Sequence, residues 1–321
     1  MRIVAGLAVL CVGVAALAWA SEEVQRFDTD GDGSIDQWEY YVDGQVSRLE
    51  ADRNHDGKVD HWVTYKSGRP VQAAFDTAGT GKVTQREVYN TEGEVEHTEL
   101  DQNGDGVFER FVYFGDGKQL LRIEKDDDGD GKIDRWQHYK DGKLLKVDLD
   151  TNRDGQPDQW QHYLTSGALR LVEIDSTVNG KIDQRRHYKN SKVAVVEIDQ
   201  NSDGTQDQII EYDAQERIEL VRQDIDKQGR ARKRMIYDNG MLVRSEFDTI
   251  GKGQVNQWLY YDAKGQVVRA EYDRNDDGKP DQWEHFAAGH RQPYKVERDT
   301  TGDGKANQVW KQEQSSHSQR Q

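Results

Sequence analysis

Apolar residues along this chain alternate with polar ones or cluster in short runs, and the runs come in pairs. "IDQWEYY", residues 35–41, is aromatic and β-rich; Asp43-Gly44 follows, and then "QVSRLEAD". The pattern predicts a strand, a tight turn and a second strand. Ser67-Gly68, Asp116-Gly117, Asp141-Gly142 and Asn239-Gly240 hold the same place between later pairs, while "NTEGE" from Asn90 and "DAKGQ" from Asp262 predict longer turns. Glycines recur too often for long helices.

Each second run ends on an aspartate that opens a polar segment, as in "DTDGDGSIDQW" from Asp28. Taking that aspartate as position 1, equivalents are Asp28, Asp52, Asp76, Asp101, Asp126, Asp150, Asp175, Asp199, Asp224, Asp248, Asp273 and Asp299, in steps of 24 to 26 residues. Position 14 is aromatic in every unit but the last, from Tyr41 and Tyr65 to Tyr261 and Phe286, with Gln312 the exception. Position 11 is usually large (Trp38, Trp62, Phe111, Trp136, Trp160, Trp258, Trp283), with Arg86, Arg185 and Arg234 intruding. A fixed period of this kind marks a repeat architecture.

The fold expected is therefore all-β: twelve tandem β-hairpin repeats over residues 28–310, an elongated, twisted meander with the polar loops along one edge. Two strands per repeat would also make six four-stranded blades, so a β-propeller is the alternative. Residues 21–27 are a lead-in, and the polar tail 311–321 reads as disordered.

Seven loops carry Asp, Asn or Glu at positions 1, 3, 5 and 9: Asp28, Asp30, Asp32 and Asp36; Asp52, Asn54, Asp56 and Asp60; Asp101, Asn103, Asp105 and Glu109; Asp126, Asp128, Asp130 and Asp134; Asp150, Asn152, Asp154 and Asp158; Asp199, Asn201, Asp203 and Asp207; Asp273, Asn275, Asp277 and Asp281. Closely spaced carboxylates repel one another unless a cation sits among them. Calcium takes six to eight oxygen ligands in flexible geometry, whereas magnesium demands a stricter octahedron and zinc prefers Cys and His. Ca²⁺ is thus the expected cofactor. The loops at Asp175 and Asp299 are partial. Those at Asp76, Asp224 and Asp248 lack ligands, and in the last two Arg232 and Lys252 stand where an acidic residue would, a local substitute for the ion.

The loops differ from the helix–loop–helix EF-hand, which needs Glu at position 12. Glu39, Glu87 and Glu284 stand there in three units, but residues such as Val63, Gln137, Ile210 and Leu259 in the other nine, and the carboxylate recurs at position 9 instead. The D-x-[DN]-x-D-G-x-x-D pattern resembles the calcium loops of FG-GAP and VCBS-type repeats, where the loop joins two strands. Thrombospondin type 3 loops are similar but depend on cysteines. The hairpin half, as in "YKDGKLLKVDLD", resembles MORN and YD repeats. The resemblance covers about residues 26–310 and implies calcium at the loops without fixing a function.

Composition sharpens the picture in three ways. Hydrophobic residues are only 34% of the chain, lean for a compact core, which favours position-11 Trp residues as a thin core over an exposed sugar-stacking strip. Residues 1–20, "MRIVAGLAVLCVGVAALAWA", read as a cleaved secretory signal, with an uncleaved anchor as the rival reading. The single cysteine, Cys11, lies within that segment, so disulfides cannot hold the rest together. The formal net charge of −16 argues against nucleic acid or an anionic membrane as partner, and seven divalent ions would offset most of it.

No catalytic constellation stands out. "AGTGKVT" from Ala78 imitates a phosphate loop, but Asp76 stands where its first Gly belongs and Val83 replaces Ser or Thr. His138, His162, His187 and His285 share position 13, too far apart across alternate strands to share one zinc, and are expected as a cross-strand ladder. The expectation is a non-enzymatic, secreted or periplasmic calcium-binding repeat protein, a calcium-stiffened structural, adhesion or interaction scaffold with a protein or glycan partner at the cell surface, and without membrane insertion after signal cleavage. The alternatives are a carbohydrate-binding protein using the Trp strip, and a calcium or lanthanide buffer.

Overall fold

The computed structural model describes residues 22–312 and is all-β, with 24 strands numbered in chain order. A three-residue 3-10 turn, Asp116–Lys118, is the only helical element among the described residues. Consequently no described helix is long and apolar enough to cross a membrane. The predicted signal, residues 1–20, lies outside the described residues.

The chain divides into two compact units at Leu120/Leu121, inside β9 (Gln119–Lys125). In the first unit, β1 (Glu23–Phe27), β2 (Gln37–Val42), β3 (Gln45–Ala51) and their successors up to β8 (Arg110–Gly115) each pair antiparallel with the next in sequence. In the second unit the same ladder runs from β9 to β24 (Gln308–Lys311). A propeller breaks its ladder after every fourth strand; these ladders do not, so the meander stands and the six-bladed alternative falls. Residues 23–27, expected as a lead-in, form the first strand. The tail expected from residue 311 begins later: Lys311 ends β24, and Gln312 donates its N–H to the Tyr294 carbonyl at 2.9 Å. Residues 313–321 lie outside the described residues.

In a meander every second connection falls on the same edge. The polar loops therefore line one edge of each unit and the hairpin turns the other. Asp43-Gly44, Ser67-Gly68, Asp141-Gly142 and Asn239-Gly240 all have positive φ at both residues, the type I′ geometry that suits the strand twist. Asn190-Ser191 does the same without glycine. Asp116-Gly117 departs from expectation: the 3-10 turn takes three residues there, after Gly115, a poor strand former where Val42, Lys66 and Lys140 stand in other repeats.

Side chains divide cleanly between the two faces. On one face positions 12 and −3 lie opposite each other across successive strands, as in Gln137, Val147, Gln161 and Val172. Val147, Val172, Val196 and Val221 are buried in that row, as are Ala73, Ile123 and Ala270 at the same position. Tyrosines at position 14 share this face and donate their hydroxyls to position 12: Tyr41 to Glu39 at 2.6 Å, Tyr89 to Glu87 at 2.7 Å and Tyr163 to Gln161 at 2.7 Å. Position 12 is thus occupied within the strand, consistent with its failing the EF-hand pattern.

The other face alternates aromatic and acidic residues. Trp38, Glu50 and Trp62 lie directly across from one another, as do Trp136, Asp148 and Trp160. This corrects the expected thin tryptophan core. Each unit is one sheet with no second layer, so these tryptophans stay half-exposed with a carboxylate beside them. The position-13 histidines bind those carboxylates: His138 to Asp148 at 3.0 Å, His162 to Glu173 at 3.0 Å and His285 to Glu297 at 2.7 Å. Lys146 and Lys295 hold the same acids from the next row.

Candidate metal centres

Each polar loop begins where one strand ends and closes where the next begins. Its position-1 aspartate is buried in ten repeats; Asp28, which has no repeat before it, and Asp224 are exposed. A main-chain bond ties most of these aspartates, Asp224 included, to the repeat before. The N–H of Asp52 donates to the Asp36 carbonyl at 2.8 Å, that of Asp76 to Asp60 at 2.8 Å, and that of Asp150 to Asp134 at 2.8 Å. Position 9 of one loop is therefore fastened to position 1 of the following one.

Within the loop, each carboxylate accepts backbone N–H groups in a fixed order. Position 1 accepts from the glycine at position 6 in all seven complete loops, as in Gly57 to Asp52 at 2.8 Å and Gly131 to Asp126 at 2.8 Å. Position 3 accepts from position 5 (Asp130 to Asp128, 3.1 Å), and position 5 from position 7 (Lys132 to Asp130, 2.8 Å). Position 9 reaches back to positions 2 and 3, as in Asp127 to Asp134 at 2.7 Å. Position 1 and most position-9 groups form a buried floor, while positions 3 and 5 form an exposed rim.

Such bonds hold two of the floor carboxylates, Asp36 and Asp126, in the ionised form. A hydroxyl bond from Thr29, followed by backbone N–H donors, holds Asp36 below the ordinary carboxylate range. Burial pushes Asp126 up, but the N–H groups of Gly131, Gly129, Asp128 and Asp130 outweigh it and hold it low as well. Each oxygen has two lone pairs, so accepting one N–H leaves capacity for a metal.

Three ligand groups converge to within 4.8 Å of one another in two of the complete loops: Asp28, Asp30 and Asp32, and Asp126, Asp128 and Asp134. Two oxygens on one calcium lie at most about 5 Å apart, twice the usual bond length, so these clusters fit the ion. A third grouping joins Asp30 and Asp36 to His55 of the next loop. In the other five complete loops position 3 is asparagine, which supplies one carbonyl oxygen in place of a carboxylate. Asn152 and Asn275 instead donate their amides to Asp154 and Asp277, each at 3.2 Å. In the fourth loop, one oxygen of buried Glu109 accepts from Gln102 and Asn103, while its Oε2 is buried without a partner.

The partial loops keep the same frame, with Gly180 donating to Asp175 at 2.7 Å and Gly304 to Asp299 at 2.6 Å. So do two of the loops without ligands. Around Asp76, Thr84 takes the place of the position-9 acid, its hydroxyl 2.7 Å from that of Thr77. Around Asp248, Asn256 takes that place. The expected substitution of the ion by Lys252 does not occur: its ammonium leaves its own loop and pairs with Asp276 of the next at 2.6 Å.

The segment at Asp224 is no decayed metal loop at all. Its Gly229 donates to the carbonyl of Asp226 at 2.8 Å, and Asp226 donates to that of Arg230 at 3.0 Å. This is the five-residue hairpin turn seen at Asp213 and Asp262. Two strands, β17 (Ile218–Ile225) and β18 (Ala231–Asp238), have grown into the space a loop occupies elsewhere. Arg232 lies in β18, its guanidinium 3.5 Å from where a Cβ on Gly251 would stand, so it occupies no ion position.

Sequence reasoning passed over the residues that link loops. Position 4 has positive φ in every repeat but the one at Asp224; six repeats place glycine there, while two others hold His55 (φ 59°) and Arg153 (φ 65°). His55 reaches back to Asp30 at 3.3 Å, and Arg153 to Asp128 at 2.9 Å. A bulky residue at a position whose backbone favours glycine was the available signal. Thr29 and Thr151 at position 2 were also missed; their hydroxyls bind Asp36 and Asp158 at 2.7 and 2.8 Å.

No protein family matches the chain, and no curated protein does. Among solved structures, it is similar over 35% of its length to 20% of a chain in the structure of accessory secretory protein 1, 2 and 3 from Streptococcus pneumoniae, at 17% identity and a TM-score of 0.24. It is similar over 83% of its length to 16% of a chain in the TcdB2-TccC3-TEV structure, at 12% identity and a TM-score of 0.20. The chain spans about a fifth of those chains, and likenesses this weak carry no argument.

Proposed function

We propose that the chain is a calcium-binding repeat scaffold acting outside the cytoplasm, in which ions seated in the loops stiffen one edge of the sheet and the broad faces meet a protein or glycan partner at the cell surface. The observation that carries this reading is the convergence of Asp126, Asp128 and Asp134 within 4.8 Å, on a loop whose backbone N–H groups hold Asp126 ionised. An ion there bridges the end of one strand to the start of the next, and the main-chain bond to the following loop passes the constraint on. Ions that bind only the folded chain stabilise it by mass action.

The loops around Asp76 and Asp248 keep the frame without a full ligand set, so calcium adds rigidity and stability to a loop that its hydrogen bonds already shape. A pure calcium store would have no use for them, which disfavours the buffer reading. The half-exposed tryptophans favour a sugar-stacking surface less than their number suggests, since a carboxylate stands between each pair. Equilibrium dialysis against calcium, with and without chelator, tests the proposal: several ions per chain and a chelator-sensitive melting temperature are expected, and no bound calcium refutes it.

A further inference from the structure

Two places in the acidic row opposite the tryptophans hold arginine: Arg26 in the first strand and Arg222 inside the array. Position −2, opposite the tryptophan row, is acidic in nine repeats, among them Glu50, Glu99, Asp148, Glu173 and Glu246; after repeat eight it is Arg222. Its cross-strand partner is Arg234, where six repeats place Trp; Arg86 and Arg185 hold the same position, but Arg86 faces Glu99 and Arg185 faces Glu173 and Glu197. Like charges directly opposite are destabilising, so this pair lacks an obvious structural purpose. Arg230 joins them in a cleft of about 430 Å³ whose other charged lining is Glu211 and Asp248.

Four acids, Glu211, Asp226, Glu246 and Asp248, stand around the three guanidinium groups without using all of their donors. Arg222 Nη2 binds Glu211 at 2.5 Å, and its Nε is buried with no partner. Arg234 contacts Glu246, which Arg244 also binds, at 3.3 Å through Nη1; Arg230 binds Asp226 through Nε at 2.8 Å and Nη2 at 2.7 Å, which leaves its Nη1 free of that acid. Asp248 is engaged by the N–H groups of Gly251, Lys252 and Gly253. Each guanidinium carries five donors, so several remain for a ligand. Arg230 also lies across Gly253, where a Cβ would stand 2.6 Å from its Nη1, so the neighbouring loop has the bare backbone this placement requires.

We propose that this cleft binds a tetrahedral oxyanion, a sulfate or phosphate group, between Arg222, Arg230 and Arg234. The planar fork of arginine suits two oxygens of such a group, and an anion between the opposed pair relieves their repulsion. The loss of the metal loop at Asp224 fits the same purpose, because a turn there removes a carboxylate cluster from beside the cleft. The site stands independently of calcium at the other loops.

The test is to titrate the intact chain with inorganic sulfate, and separately with inorganic phosphate, at ionic strength fixed with chloride, following the arginine Nε–H resonances. Saturable shifts of Arg222, Arg230 and Arg234 are expected, and the tighter anion identifies the source. Arg222→Glu and Arg234→Trp each restore the residue other repeats carry and are expected to weaken binding at least tenfold while leaving the β-sheet circular dichroism intact. Shifts that fail to saturate, that spread over arginines elsewhere, or that persist with unchanged affinity in both variants overturn the proposal. The wild-type resonances decide the matter even if a variant folds poorly.

Discussion

Arg153 of one loop reaches back to Asp128 of the loop before it, Nη1 to Oδ2, at 2.9 Å. Asp128 belongs to the cluster that carries the proposed calcium site, so a neighbouring repeat places a cation on one of its rim carboxylates. Arg153 and a bound ion would compete for it. Arg153→Gly restores the residue that Gly129 supplies in the preceding loop and relieves a positive φ. A partly exposed pair is worth up to about 1 kcal/mol, so roughly fivefold tighter terbium or calcium binding at this loop is expected. Site-resolved titration checks it.

Glu109, at position 9 of its loop, has a buried, unpartnered oxygen. Glu109→Gln removes the charge but keeps an oxygen for the N–H groups of Gln102 and Asn103. Burying an amide costs less than burying an unpaired charge. The metal-free variant is therefore expected to be more stable than the parent by about 1 kcal/mol. In calcium the order reverses, and one ion per chain is lost. Paired melts in chelator and in calcium read both effects.

The loop at Asp76 has the frame without the ligands. Ala78→Asp, Thr80→Asp and Thr84→Asp together supply the missing carboxylates on a backbone already shaped to receive them. The triple variant is expected to bind one more calcium than the parent, and to lose stability when chelator is present because the new charges repel. Equilibrium dialysis gives the stoichiometry.

His61 is buried against Phe75, with ring centroids 4.7 Å apart, and burial, aided by the Arg53 charge, drives its pKa from 6.5 down to about 4. A depressed base is neutral in the folded chain and protonates first in the unfolded one. Its contribution is complete above pH 6.5 and declines as pH falls toward 4. His61→Gln, the residue most repeats place here, is expected to flatten the pH dependence of stability across that window, measured as chemical denaturation midpoints against the parent.

Much of this was legible because the period fixes both where strands turn and which residues sit at the loop floor. Position 1 and position 9 are named by spacing alone, and the structure places them at the two ends of each loop. The segment at Asp224 misleads because it keeps Asp at position 1 and Gly at position 6. What differs is Asp226, which captures the turn as Asp213 and Asp262 do; "DKQGR" resembles "DAQER" and "DAKGQ", a similarity visible only when loops are compared with turns. The Trp–carboxylate alternation was hidden for another reason. Trp38 and Glu50 are twelve residues apart and meet only through register. Pairs such as Arg153 and Asp128 lie a full repeat apart, beyond any local pattern.

The most direct test of the central claim is the number of calcium ions bound per chain, measured by equilibrium dialysis at millimolar free calcium. Seven complete loops predict about seven ions, released together with a fall in melting temperature when chelator is added. A chain that binds no calcium, or whose melting temperature is the same with and without chelator, contradicts it.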